Sequence, residues 1–130
     1  MALLREYKEI AYQWGIWKTE ESPEELLALL PDPERYEQQL TRFSSPHRKL
    51  EWLSVRVLLY QLLGEEKTIE YAPSGKPHLA DSSYFISISH TRGYVAVILS
   101  PVSEVGIDIE QYGPVSYTHL RAHETKANLV

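Results

Sequence analysis

The sequence has no cysteine, so it offers no disulfide framework, no thiolate nucleophile and no cysteine-ligated zinc. It has no excess of positive charge. Thirteen lysines and arginines stand against 18 aspartates and glutamates, and the net charge of −5 argues against a surface built to grip nucleic-acid phosphates; any phosphate ligand must meet a local basic cluster. It has no long apolar run. The hydrophobic stretches end after a few residues, too short to cross a membrane, and the amino terminus, with Arg5, Glu6, Lys8 and Glu9, lacks the shape of a secretory signal, so a cytoplasmic location is expected. There is no internal repeat and no low-complexity tract. What remains is one domain's worth of chain, 130 residues at 43% hydrophobic and 24% charged, too apolar for disorder and too mixed for a coiled coil.

Helix signals dominate the first half. Ile10, Tyr12, Trp14 and Ile16 alternate with Ala11, Gln13 and Gly15, which predicts an aromatic-rich strand. Ser22 with Glu25 forms a capping box, Pro23 suits a first helical position, and Leu26, Leu27, Leu29 and Leu30 supply a buried face up to Pro31. Asp32 and Pro33 start a second helix through about Phe43. Ser45 and Pro46 start a third, in which Leu50, Leu53, Val57, Leu58 and Leu62 recur at helical spacing until Gly64 ends it. Past Gly64 the runs shorten to strand length: Thr68 to Ala72, Phe85 to Ser89, Tyr94 to Leu99 and Val105 to Glu110, with turns at Pro73-Ser74-Gly75 and Arg92-Gly93. Helices followed by strands predict an α+β fold. From Pro114 to Val130 there is no apolar period and no helix or strand to complete the sheet; Val-Ser-Tyr-Thr-His-Leu-Arg-Ala-His-Glu-Thr resembles a translated adaptor or vector scar, so 113–130 is set apart from 1–112 as a non-native or disordered tail.

Five groups of residues could carry chemistry. In Gly106-Ile107-Asp108-Ile109-Glu110, a strand sends both isoleucines to one face and both acids to the other, where Asp108 and Glu110 could reach one hard cation such as Mg²⁺; two solvated acids on an amphipathic edge strand would show the same pattern. In Ser87-Ile88-Ser89-His90 the hydroxyls and the imidazole could bind phosphate, although no partner for His90 is evident and a turn histidine is the plain alternative. Ser74-Gly75-Lys76-Pro77 is a tight turn presenting one ammonium beside backbone amides, without the spacing of a P-loop. Arg35, Arg42, Arg48 and Lys49 add charge near the second and third helices. The macrodipole disfavours a cation at a helix start, so Arg48 points either to an anionic partner or to plain solvation. His119 and His123, four apart and followed by Glu124, would make a metal face only if the tail were helical.

Taken in order, an Arg-bearing helix, Gly75-Lys76-Pro77, Ile86-Ser87-Ile88-Ser89-His90 and Gly106-Ile107-Asp108-Ile109-Glu110 resemble the amino-terminal half of the Sfp-type 4′-phosphopantetheinyl transferases, and Arg48 to Arg56 reads like that family's central helix. The likeness runs from about Trp14 to Tyr112. It implies one half-domain of that fold, a small, mainly antiparallel sheet packed on a long central helix. It implies transfer of phosphopantetheine from coenzyme A to a serine of an acyl or peptidyl carrier protein, with Mg²⁺. By resemblance, Asp108 and Glu110 hold the metal as catalytic residues, His90 contacts the 3′-phosphate and Ser89 touches the phosphates. Gly75, Lys76 and Pro77 line the adenine and phosphate region, and Arg35 and Arg48 match basic phosphate-binding positions. The family's second half, with a further acid and a Trp-x-x-Lys-Glu helix, has no match after Tyr112, so a truncated chain with half of the site is expected. The competing readings are a non-catalytic coenzyme A or nucleotide-binding half-domain acting as a homodimer, and a Mg²⁺-dependent phosphohydrolase using Asp108, Glu110 and His90.

Overall fold

The computed structural model describes residues 3–8, 11–112, 115–122 and 127–129, with residues 4, 5 and all those from 110 onward described by backbone alone. Three helices precede most of the sheet. Helix α1 (Pro23–Ala28) begins at the expected capping box: Ser22 Oγ accepts from the Glu25 amide at 3.2 Å, and the Glu25 carboxylate accepts from the Ser22 amide at 2.9 Å. That backbone bond holds the Glu25 carboxyl below its usual range. Helix α2 (Glu34–Leu40) stops short of the expected Phe43. Helix α3 (Pro46–Leu63) runs from the Ser45 cap to Gly64, whose φ of 73° is the left-handed conformation that glycine adopts without steric cost.

The main sheet is antiparallel in the order β1-β2-β6-β5, made of Leu3–Lys8, Gln13–Lys18, Tyr94–Ser100 and Phe85–Thr91 respectively. The expected early strand thus begins later, at Gln13, and Ile10 lies outside the described residues. Strand β1, which the sequence pattern did not signal, pairs along it. One face of this sheet packs on α1 and α3 through Trp17, Val95, Val97, Leu99 and Ile86, against Leu26, Leu53, Val57 and Leu58. The other face, carrying Ile16, Ala96 and Ile98, packs on Ile107 and Ile109 of β7 (Val105–Tyr112). The arrangement is α+β in three layers: helices, sheet, and the β7 ribbon.

A small hairpin, β3 (Ile69–Tyr71) with β4 (Pro77–Leu79), stands beside these layers. Its turn needs Gly75, which sits at φ 91°, donates to the Ala72 carbonyl at 2.7 Å and lets Ala72 donate back to Lys76. The Gly-Lys-Pro segment, read as a lone turn, therefore leads directly into a short strand.

Beyond Gly113 the backbone forms strands that the sequence did not signal, in a sheet of their own with β7 and not in the main sheet. Val115–Ala122 forms β8 antiparallel to the whole of β7, and Ala127–Leu129 forms β9 against β8. Backbone pairing needs no apolar period, which is why side-chain pattern did not reveal it. His123 and Glu124 lie outside the described residues.

Strand β7 meets β5 through side chains instead of a backbone ladder. Ser87 Oγ accepts from the Ile107 amide at 3.3 Å and Ser89 Oγ accepts from the Ile109 amide at 3.1 Å. The two serines alternate with Ile86 and Ile88, so one face of β5 serves the core and the other supplies oxygen to amides that face no strand. Ser87→Ala should therefore leave the Ile107 amide unpaired and lower stability by about 1–3 kcal/mol. Urea unfolding measures this, and an unchanged midpoint would show that the amide has another acceptor.

Candidate functional site

A groove of about 510 Å³ opens between the start of α3, the β3–β4 hairpin and the end of β5. Five of the residues singled out from the sequence line it: Arg42, just beyond α2, with Arg48, Gly75, Pro77 and His90. Arg56 joins them from within α3. Trp52 is the hub of the groove's aromatic wall, with Phe43 tilted at 6.1 Å and Tyr36 edge-on at 5.9 Å.

Arg56 is the groove residue that the sequence did not flag. Its side chain is only 6% exposed, stacks over Trp52 at 3.9 Å from the ring centroid, and donates to the Trp52 carbonyl at 3.3 Å and the Tyr71 hydroxyl at 3.5 Å. Desolvation pulls its guanidinium below the ordinary arginine value, and the ion pairs among the described residues do not include it. A buried charge without a carboxylate is costly to retain, which makes the groove a place where an anion would be welcome.

At the mouth, Arg48 sits at the start of α3, where Ser45 Oγ accepts from its amide, and it lies over the Phe43 ring at 5.8 Å. The first turn of α3 carries no acid, so amide dipoles, Arg48 and Arg42 present positive potential on one side of the groove. His90 has the partner that the sequence did not reveal: its Nδ1 lies 2.8 Å from the Glu51 carboxylate on α3.

Two of the predicted basic residues point elsewhere. Arg35 is held by Glu66 at 3.2 Å and by Thr68, away from the groove. Glu66 also accepts from the Asp32 amide and from the Tyr36 hydroxyl, whose ionisation is pushed well above the ordinary tyrosine value by burial and then by that bond. Arg35 thus serves the junction of α2 with the segment after α3. Lys76 is 3.1 Å from Glu104 and lines a second cavity, of about 350 Å³, on the other side of Pro77.

Asp108 lies beyond Ser89, on the β7 side of β5. Its carboxylate is exposed and accepts from Ser89 Oγ at 3.3 Å. Glu110 follows two residues along the same strand, and its side chain lies outside the described residues. Among the described residues no three acids or histidines form a complete metal centre. An exposed carboxylate with a neighbouring hydroxyl does suit Mg²⁺, which takes one or two carboxylates and completes its shell with water and ligand phosphates.

The chain carries a partial region similar to 4′-phosphopantetheinyl transferases. Over 68 residues, 52% of this chain, it is 37% identical to the 4′-phosphopantetheinyl transferase AcpT of Salmonella typhi, and it matches AcpT of Salmonella typhimurium and of Escherichia coli strain K12 equally. The match covers 35% of those proteins, so the chain spans about a third of the length of the curated relatives it matches. No family model matches the chain.

Arg56→Met keeps an unbranched stem over Trp52 and removes the charge. If the arginine serves a ligand, this variant should unfold within about 1 kcal/mol of the parent or above it, whereas breaking a buried structural ion pair would cost about 3–5 kcal/mol. Thermal and urea unfolding decide between the two.

Proposed function

We propose that this chain is the coenzyme-binding part of a 4′-phosphopantetheinyl transferase, in which residues 1–112 form a half-domain of that fold and 113–130 lie outside it. The observation that carries the reading is the groove that gathers Arg42, Arg48, Arg56, His90, Gly75 and Pro77, with Arg56 buried and in no ion pair among the described residues. Coenzyme A offers the matching anions. Its 3′-phosphate would enter the groove against His90 and the arginines, and its pyrophosphate would lie toward Ser89 and Asp108. Mg²⁺ would be held by Asp108 and Glu110, and would supply neutralisation of charge on the pyrophosphate. The carrier protein's serine oxygen bonds to the phosphorus that bears phosphopantetheine, and the bond from that phosphorus to adenosine 3′,5′-bisphosphate breaks. Such a reaction depends on positioning and on fixed charge, which a rigid helix, a hairpin and a paired strand provide.

Calorimetry with coenzyme A tests the reading. Binding should tighten at least about tenfold when Mg²⁺ is added, a difference of about 1.4 kcal/mol. Asp108→Ala should remove the metal dependence, and Arg56→Met should weaken binding in either condition. Equal affinity with and without Mg²⁺ would overturn the metal role of Asp108, and an Arg56→Met protein that binds like the parent would overturn the groove as the phosphate site.

A further inference from the structure

The groove contains one acid that an anion site should not tolerate. Among the described residues that line it, Glu51 is the sole carboxylate, set among Arg42, Arg48, Arg56 and His90. It repels the ligand that the cations attract, so its place has to be explained by what it touches. Its Oε2 lies 2.8 Å from His90 Nδ1 and 3.7 Å from His47 Nε2, one turn back on the same helix.

We propose that Glu51 is a positioning residue, which holds His90 through Nδ1 and thereby presents Nε2 to the groove. This rests on reading the groove as a phosphate-ester site. The argument is one of donors and acceptors. A carboxylate only accepts, so a Glu51 oxygen 2.8 Å from Nδ1 favours the ring form that carries hydrogen on Nδ1. That fixes the tautomer and turns the opposite edge of the ring toward the ligand, as a carboxylate does for a metal-bound histidine. His90 needs such a fixture. It is 61% exposed at the end of β5, whereas Glu51 is 25% exposed on an 18-residue helix packed into the core. Left alone, the ring would rotate among rotamers, and each binding event would have to order it again.

Two measurements on the whole chain test this separately. Long-range ¹H–¹⁵N correlation of the free protein at about pH 8, where an ordinary imidazole is neutral, should show His90 with hydrogen on Nδ1, the minor tautomer of a histidine in water. Glu51→Ala should return it to the Nε2–H form, and Glu51→Gln, whose amide oxygen still accepts, should keep the Nδ1–H form. Calorimetry with coenzyme A should then show about a 10–100-fold loss for Glu51→Ala, the range seen when such supporting carboxylates are removed, with most of it restored in Glu51→Gln. In a His90→Ala background, Glu51→Ala should cause no further loss. An unchanged tautomer in Glu51→Ala, or the same fold-loss whether or not His90 is present, would overturn the positioning role. A parent chain that failed to bind coenzyme A would overturn the phosphate reading instead, and the tautomer of the free protein would still decide what Glu51 does to His90.

Discussion

Strand β6 is buried on both faces, and the rest of the molecule is arranged to make that possible. Val95, Val97 and Leu99 face α1 and α3, while Ala96 and Ile98 face β7. A strand of this kind contributes only if both sides are covered, because an apolar face left in water forfeits about 25 cal/mol for each Å². The helices cover one side with leucine and valine. The other side is covered by β7, whose Ile107 and Ile109 reach Ile16, Ala96 and Ile98. Laying a strand across a sheet creates a difficulty, since β7 amides that face the sheet have no ladder to join. Ser87 and Ser89 of β5 resolve it. The serines that look like ligand groups in the sequence are thus first of all acceptors for β7, and in holding β7 they fix Asp108 beside Ser89.

The treatment of charge separates structure from function in this acidic chain. Lys67 lies between Asp81 and Glu65, and those bonds raise its ionisation while Lys67 lowers that of Asp81. Arg35 is matched by Glu66 and Lys76 by Glu104. The arginines of the groove are not so matched: no described ion pair includes Arg42, Arg48 or Arg56, and the acid present there, Glu51, is turned to histidine. Aromatic rings take the place of acids, with Trp52 under Arg56 and Phe43 under Arg48. A ring steadies a guanidinium without neutralising it, so its N–H groups stay available to an anion.

What the sequence made legible were features written in neighbouring residues. The Ser22 box, the Ser45–Pro46 start and the Gly64 stop are local chemistry, and each stands where it was read. The alternation of Ile86 to Ser89 and of Ile107 to Glu110 gave the strands, because a pleat sorts side chains with a period of two. The early alternation also marked β2, which starts later than expected, at Gln13, and is covered on both sides, Trp17 facing the helices and Ile16 facing β7. Strands β1 and β8 escaped. In β8 the pairing is carried by backbone. Of the site, Arg48, Gly75, Pro77 and His90 were readable and do converge. Arg56 was not, because it looks like any helical arginine until its burial is known. Glu51 was not either, because its partner comes from a distant strand. Arg35 was misplaced by the same blindness: only the fold brings Glu66 beside it.

The strand that carries both halves of the proposed site also constrains the ligand proposed for it. Successive residues of β5 face opposite ways, so His90 looks toward α3 and the groove while Ser89 looks toward β7 and Asp108. One compact phosphate could not touch both. A ligand engaging both must pass around β5, and the sheet order places β5 at the edge, where no further strand of that sheet blocks the way. It must therefore be elongated, with two anionic groups separated by about the thickness of a strand and its side chains. Coenzyme A, with a 3′-phosphate and a pyrophosphate on either side of a ribose, has that form. A mononucleotide or a simple phosphate ester would be gripped at one end alone. The same geometry argues against a hydrolase built on Asp108, Glu110 and His90 acting at one phosphorus, because β5 itself stands between the imidazole and the carboxylate strand.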